Sequence, residues 1–112
     1  MMDQNTAKGG VFVNFFGKKA ATPRALALLS YRSGTPILPL FCYPTEKGTY
    51  RIEYRPEIQI EKSDNRENDI MSWTYYYEKF IENIIRKNPS PWMCGHRRWK
   101  TRPPEEKGTR IY

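Results

Sequence analysis

Cysteine and histidine are the scarcest reactive side chains in this sequence: Cys42, Cys94 and His96 are all there is. Two thiols without Cys-x-x-Cys spacing cannot build a disulfide framework and suit a reducing compartment. A metal site takes three or four ligands, and Cys94 with His96 supplies only two, so a zinc centre is not expected. The spacing of the same two residues matches no cysteine-protease arrangement. No stretch approaches the roughly 18–20 apolar residues of a membrane span, and no basic segment leads into an apolar run at the N-terminus. Internal repeats, low-complexity tracts and a glycine-rich phosphate loop of recognised spacing are also missing. Acids are absent from residues 8–32, which carry Lys8, Lys18, Lys19, Arg24 and Arg32.

What remains is one domain's worth of chain, 112 residues with 38% hydrophobic and 14% aromatic content, enough bulky material for a core. The net charge is +7, and it is unevenly placed. One block is the acid-free stretch above; the other is residues 96–112, with six Lys or Arg against Glu105 and Glu106, whereas residues 44–70 hold seven acids and five bases. Two basic blocks favour an anionic partner, whether nucleic acid, anionic lipid or an acidic protein, and the sign alone does not choose.

Val11 to Phe16, bounded by Gly9-Gly10 and Gly17, reads as a strand. Thr22 followed by Pro23 reads as a helix cap with proline in the first turn, opening a helix through Ser33 that turns Leu26, Leu29 and the alanines inward and stops at Gly34. Residues 36–43 form an apolar run without alternation, as in a strand covered on both faces, although Pro36 and Pro39 place it near an edge or at a bulge. A turn at Glu46-Lys47-Gly48 leads to a half-exposed strand in which Tyr50, Ile52 and Tyr54 alternate with charged residues, hairpin-paired to the one before. Ile70, Trp73, Thr74, Tyr77, Ile81, Ile84 and Ile85 then fall on one helical face, after a polar lead-in from Asp64 to Asp69, and Pro89 and Pro91 end the helix. Strand, helix, strand, strand, helix implies an α/β fold with a mixed sheet. Residues 1–102 read as domain and 103–112 as a frayed tail.

Arg97, Arg98, Lys100 and Arg102 surround Trp99. Guanidinium forks bind phosphates bidentately, and a buried Trp99 would anchor alternate cations, but a solvated basic tail has the same composition. His96 either fixes its segment by hydrogen bonds or touches a substrate.

Taken in order, these segments resemble the bacterial lipid A biosynthesis acyltransferases of the lysophospholipid acyltransferase superfamily. The likeness is carried by Asp3-Gln4, Gly-Val-Phe-Val-Asn-Phe-Phe-Gly at 10–17, Ala21-Thr22-Pro23, Ser33-Gly34-Thr35-Pro36-Ile37-Leu38-Pro39, Asn88-Pro89-Ser90-Pro91-Trp92 and His96-Arg97-Arg98-Trp99-Lys100-Thr101-Arg102-Pro103. Lys18-Lys19 and Met93-Cys94-Gly95 depart from the usual pattern. The resemblance implies a partial, layered mixed-sheet α/β domain of the glycerolipid acyltransferase type, its N-terminal half and a membrane helix lying outside these residues. It implies transfer of a fatty acyl group from acyl carrier protein, or a similar thioester donor, to a hydroxyl of a lipid A precursor or related glycolipid acceptor, with no cofactor, at the membrane surface on the cytoplasmic face of the bacterial inner membrane.

The same resemblance implies a His-x-x-x-x-Asp/Glu motif, its histidine acting as general base. The motif is not in these residues, since Thr101 stands five positions after His96. No residue here is therefore expected to be catalytic. Resemblance and charge together nominate Asp3, Gln4, Phe16, Gly17, Lys18, Lys19, Thr22, Arg24, His96, Arg97, Arg98, Lys100 and Arg102 for substrate binding. The rival classes are a small nucleic-acid-binding module, disfavoured because the aromatics fall on core faces and form no exposed stacking row, and a peripheral membrane-binding module without catalysis.

Overall fold

The computed structural model describes residues 2–90, 92, 96–108 and 111. The first strand, β1 (Gly10–Phe15), pairs antiparallel with β2 (Lys18–Pro23), from Gly10 opposite Pro23 to Phe15 opposite Lys18. Their two-residue connection, Phe16 and Gly17, has φ of 50° and 78°, the turn geometry whose twist matches that of paired strands. Glycine adopts it freely. Phe16 is held there by its neighbours: its N–H donates to Glu82 Oε2 at 3.0 Å, and the Arg86 guanidinium lies 4.7 Å from its ring centre.

This hairpin corrects the expectation of a helix opening at Thr22-Pro23. Both residues belong to β2, and the helix, α1 (Ala25–Ser33), follows Arg24 without a side-chain cap. The local capping signal loses to tertiary packing, because Ala20, Ala21 and Thr22 are all buried against the rest of the fold. The C-terminal end is as expected, with Gly34 at φ 70° and its N–H on the Ser30 carbonyl. Ala27 faces the core, while Leu29, expected inside, is 62% exposed.

Strands β3 (Leu40–Pro44) and β4 (Tyr50–Tyr54) form a second antiparallel hairpin closed by the turn at Gly48, φ 76°. It is not covered on both faces. Phe41 stacks on Phe80 at 6.1 Å between ring centres, whereas Leu40, Tyr50, Ile52 and Tyr54 remain exposed. The exposed tyrosines also correct the expectation that the aromatics lie on core faces.

Helix α2 (Arg66–Lys87) is the spine. Asn65 caps it through Oδ1, which accepts the Asn68 N–H at 3.1 Å, so the expected polar lead-in to Asp69 is already its first turn. Its apolar stripe joins two core clusters: Ile70, Trp73 and Tyr77 pack with Ala27, and Ile85 packs with Phe15 and Ala20.

Among the described residues the strands make two separate two-stranded sheets rather than one mixed sheet. The open edge of β2 is occupied by other groups: Thr6 N–H and Arg98 Nη1 both donate to the Ala21 carbonyl, and Arg102 Nη1 donates to that of Lys19. These contacts blunt the β2 edge at Lys19 and Ala21. The segment from Pro103, expected to fray, begins packed: Pro103 is fully buried, Pro104–Glu106 is a 3₁₀ turn, and Glu105 pairs with Lys19 at 2.8 Å. No helix among the described residues is long and apolar enough to cross a membrane.

Candidate functional site

Two concavities lie against the N-terminal turn. The first is a groove of about 470 Å³ between α2 and β3, lined by Met2, Leu26, Phe41, Tyr77, Phe80, Ile84 and Trp92, with Asp3 its one ionisable acid. The second, of about 320 Å³, is polar and basic, lined by Gln4, Asn5, His96, Arg97 and Lys100. Residues 2–5 divide the two: Met2 and Asp3 face the groove, Gln4 and Asn5 the basic cavity. Trp92 and His96 repeat the division, their rings edge to face with centres 6.3 Å apart.

The divider is pinned to the segment 96–102. His96 Nε2 lies 2.7 Å from the Asp3 carbonyl, and Trp92 Nε1 donates to Asp3 Oδ2 at 3.4 Å. Asn5 exchanges hydrogen bonds with Thr101, accepting its N–H at 3.0 Å and donating to Oγ1 at 3.1 Å. A turn in which Lys100 N–H donates to the Arg97 carbonyl at 3.0 Å brings both side chains to the cavity.

The nominated residues therefore divide into groups. Asp3, Gln4, His96, Arg97 and Lys100 come together. Phe16, Gly17, Lys18 and Lys19 sit at the β1–β2 turn, where Arg102 joins them through the Lys19 carbonyl and an ion pair to Glu106. Arg24 stands apart, paired with Glu67 at 3.2 Å. Thr22 and Arg98 are both buried and hydrogen-bonded to each other at 2.6 Å.

Arg98 corrects the expectation of a phosphate grip. It is 1% exposed, and its guanidinium donates to the Ala21 carbonyl at 2.9 Å, Thr22 Oγ1 at 2.6 Å and Glu78 Oε2 at 3.0 Å, above the Phe15 ring. Four neighbouring cations in sequence thus have three fates: Arg98 is internal, Arg102 is committed to the β2 edge, and Arg97 and Lys100 are exposed on the cavity rim. Cys94, Pro91 and the Met93-Cys94-Gly95 departure lie outside the described residues, while Cys42 is exposed and free.

Sequence reasoning missed Glu78 and Glu82, which are 0% and 2% exposed on α2. Their signal was available: glutamates inside a stripe that buries Trp73, Tyr77 and Ile85 demand cationic partners. Glu82 receives the Phe16 N–H, Lys79 and Arg86. Burial opposes its ionisation, yet these three donors hold its carboxyl below the ordinary range. Glu78 differs, with Arg98 as its counter-charge and Oε1 without a partner among the described residues. Burial pushes its carboxyl up to about 7 despite the pull of Arg98, and the charges of Asp3 and Glu82 add to the rise.

That shift has a measurable sign. A carboxyl whose value rises on folding stabilises the fold fully below its ordinary value of 4.5, and the contribution is lost as pH climbs through about 7. Stability by urea unfolding is expected to fall between these limits by up to about 3 kcal/mol, and Glu78→Gln should flatten that window. An unchanged slope in Glu78→Gln would assign the titration elsewhere.

The family model for bacterial lipid A biosynthesis acyltransferase matches residues 1–101, and the chain belongs to that family. Among curated relatives, it is 32% identical over 106 residues to the lipid A biosynthesis palmitoleoyltransferase of Escherichia coli strain K12. It has the same 32% identity over 106 residues to the lipid A biosynthesis acyltransferase of Shigella flexneri. In both cases the match takes in 93% of this chain and 33% of the relative, so the chain spans about a third of the length of the curated relatives it matches.

Proposed function

We propose that this chain forms the substrate-binding part of an enzyme that moves a fatty acyl group from acyl carrier protein, or a similar thioester, to a hydroxyl of a lipid A precursor or related glycolipid. The acceptor hydroxyl attacks the thioester carbonyl and loses its proton to a general base, and the thiolate leaves. In this reading the base belongs to a His-x-x-x-x-Asp/Glu motif upstream, and the hairpins and helices are part of a larger layered α/β domain with a mixed sheet. The enzyme works at the cytoplasmic face of the bacterial inner membrane.

The observation that carries the proposal is the apolar groove and the basic cavity sharing one wall, residues 2–5. An amphipathic phosphorylated substrate needs both, hydrocarbon on one side and anion on the other. Arg97 and Lys100 on the cavity rim supply charge-assisted donors for a phosphate. The exposed Lys18, at the start of β2, suits the acidic surface of a carrier protein.

The test replaces Arg97 and Lys100 by Ala in an enzyme that joins this chain to a segment carrying the histidine motif. Losing charge-assisted contacts costs on the order of 1.5–3 kcal/mol each, so the Michaelis constant for the phosphorylated acceptor should rise roughly tenfold or more. The constant for the acyl donor should move much less. Unchanged acceptor kinetics in a folded double variant would remove the cavity from the acceptor site.

A further inference from the structure

We infer that Arg98 and Glu78 are positioning residues for the basic cavity: together they clamp the 96–102 strap onto β2 and α2 and so place His96, Arg97 and Lys100 against the N-terminal turn. The inference rests on the reading of that cavity as an anion-binding site, and it assigns a task to a buried ion pair of the interior.

A single guanidinium reaches two residues of β2 and one of α2, at 2.9, 2.6 and 3.0 Å. Its sequence neighbour on one side, Arg97, lines the cavity, and on the other, Trp99, donates through Nε1 to the Phe15 carbonyl at 3.3 Å. Arg98 is therefore the contact that ties the strap to β2 and α2 at once.

As a stability device the pair is poor. Arg98 Nε and Glu78 Oε1 both lack partners among the described residues, and incompletely satisfied buried pairs seldom repay their desolvation. What such a pair does well is define one arrangement. A planar fork satisfied in two directions has a single orientation, whereas apolar side chains of similar volume would fill the space and leave the strap's register loose. The object positioned is visible at His96, whose ring nitrogen sits 2.7 Å from the Asp3 carbonyl in the wall between groove and cavity.

His96 is the only histidine in the chain, so its imidazole gives an isolated nuclear magnetic resonance signal. The experiment uses the whole 112-residue chain at pH 8 and records that signal while inorganic phosphate is titrated in. Three variants are compared with the wild type: Glu78→Leu with Arg98→Met, Glu78→Gln, and Arg98→Lys. The double variant is expected to unfold cooperatively, to show a His96 signal moved to that of an unbonded imidazole, and to bind phosphate about tenfold more weakly, since displacements near 1 Å carry losses of that order or larger. Glu78→Gln keeps an acceptor for Arg98 and should retain both the signal and the affinity. Arg98→Lys keeps the charge but cannot span three acceptors, and should lie between.

If the double variant does not fold, Arg98→Lys against Glu78→Gln decides the matter by the same two readouts. A folded double variant or Arg98→Lys variant with the wild-type His96 signal overturns the inference. The anion-site reading fails separately: wild-type chain that binds no phosphate, or binds it equally after Arg97→Ala with Lys100→Ala, refutes that reading while the His96 signal still judges the positioning.

Discussion

Replacing Glu78 by Ala is expected to destabilise the chain by about 3–5 kcal/mol, whereas Glu78→Leu combined with Arg98→Met should leave stability unchanged or raise it by about 1–4 kcal/mol. The asymmetry comes from what each change leaves behind. An arginine cannot deprotonate in a protein. With Glu78 gone, Arg98 stays charged at 1% exposure with, among the described residues, the Ala21 carbonyl and Thr22 hydroxyl left to receive it. Removing both charges removes both desolvation penalties and lets apolar atoms fill the space beside Phe15, over whose ring Arg98 lies at 5.2 Å. Urea unfolding of the three proteins at pH 7 measures the difference. A Glu78→Ala variant within about 1 kcal/mol of wild type would mean that water or a rearranged neighbour reaches Arg98, and the socket would not be closed as described.

Acyl transfer by the 112 residues alone should fall at least about a hundredfold below that of the same residues joined to an upstream segment with a His-x-x-x-x-Asp/Glu motif. A sugar hydroxyl is a poor nucleophile near neutral pH, and a positioned general base supplies roughly a hundred- to ten-thousandfold in rate. His96 is badly placed to substitute. Its Nε2 is occupied at 2.7 Å by the Asp3 carbonyl. No carboxylate hydrogen bond orients the ring among the described contacts. The assay supplies acyl carrier protein loaded with a fatty acid and a phosphorylated lipid A precursor, and compares both lengths of protein. Turnover by the shorter form that disappears on His96→Ala would move the catalytic base into this chain.

Much of the fold was legible in order and period. The α2 stripe from Ile70 to Ile85, the left-handed stop at Gly34, the turn at Gly48 and the β3–β4 hairpin all follow from local chemistry acting over a few residues. The first hairpin did not. Thr22-Pro23 carries a genuine helix-start signal, and only the packing of Ala20, Ala21 and Thr22 beneath Arg98 turns it into strand. The cavity was half legible: composition marks residues 96–102 as basic, but nothing in the run His-Arg-Arg-Trp-Lys tells one arginine from the next.

Sequence by itself determined the family, the helical spine and the presence of two basic blocks, because these depend on residue type and spacing. Tertiary structure alone decided which cations are buried and which are exposed. Arg98 goes inside because Glu78, twenty residues earlier, presents a buried carboxylate to it, while Arg97 and Lys100, on either side of the buried Arg98 and half-buried Trp99, line the basic cavity beside Gln4 and Asn5. Burial of a charge depends on a partner far along the chain, and that pairing exists only once the chain has folded.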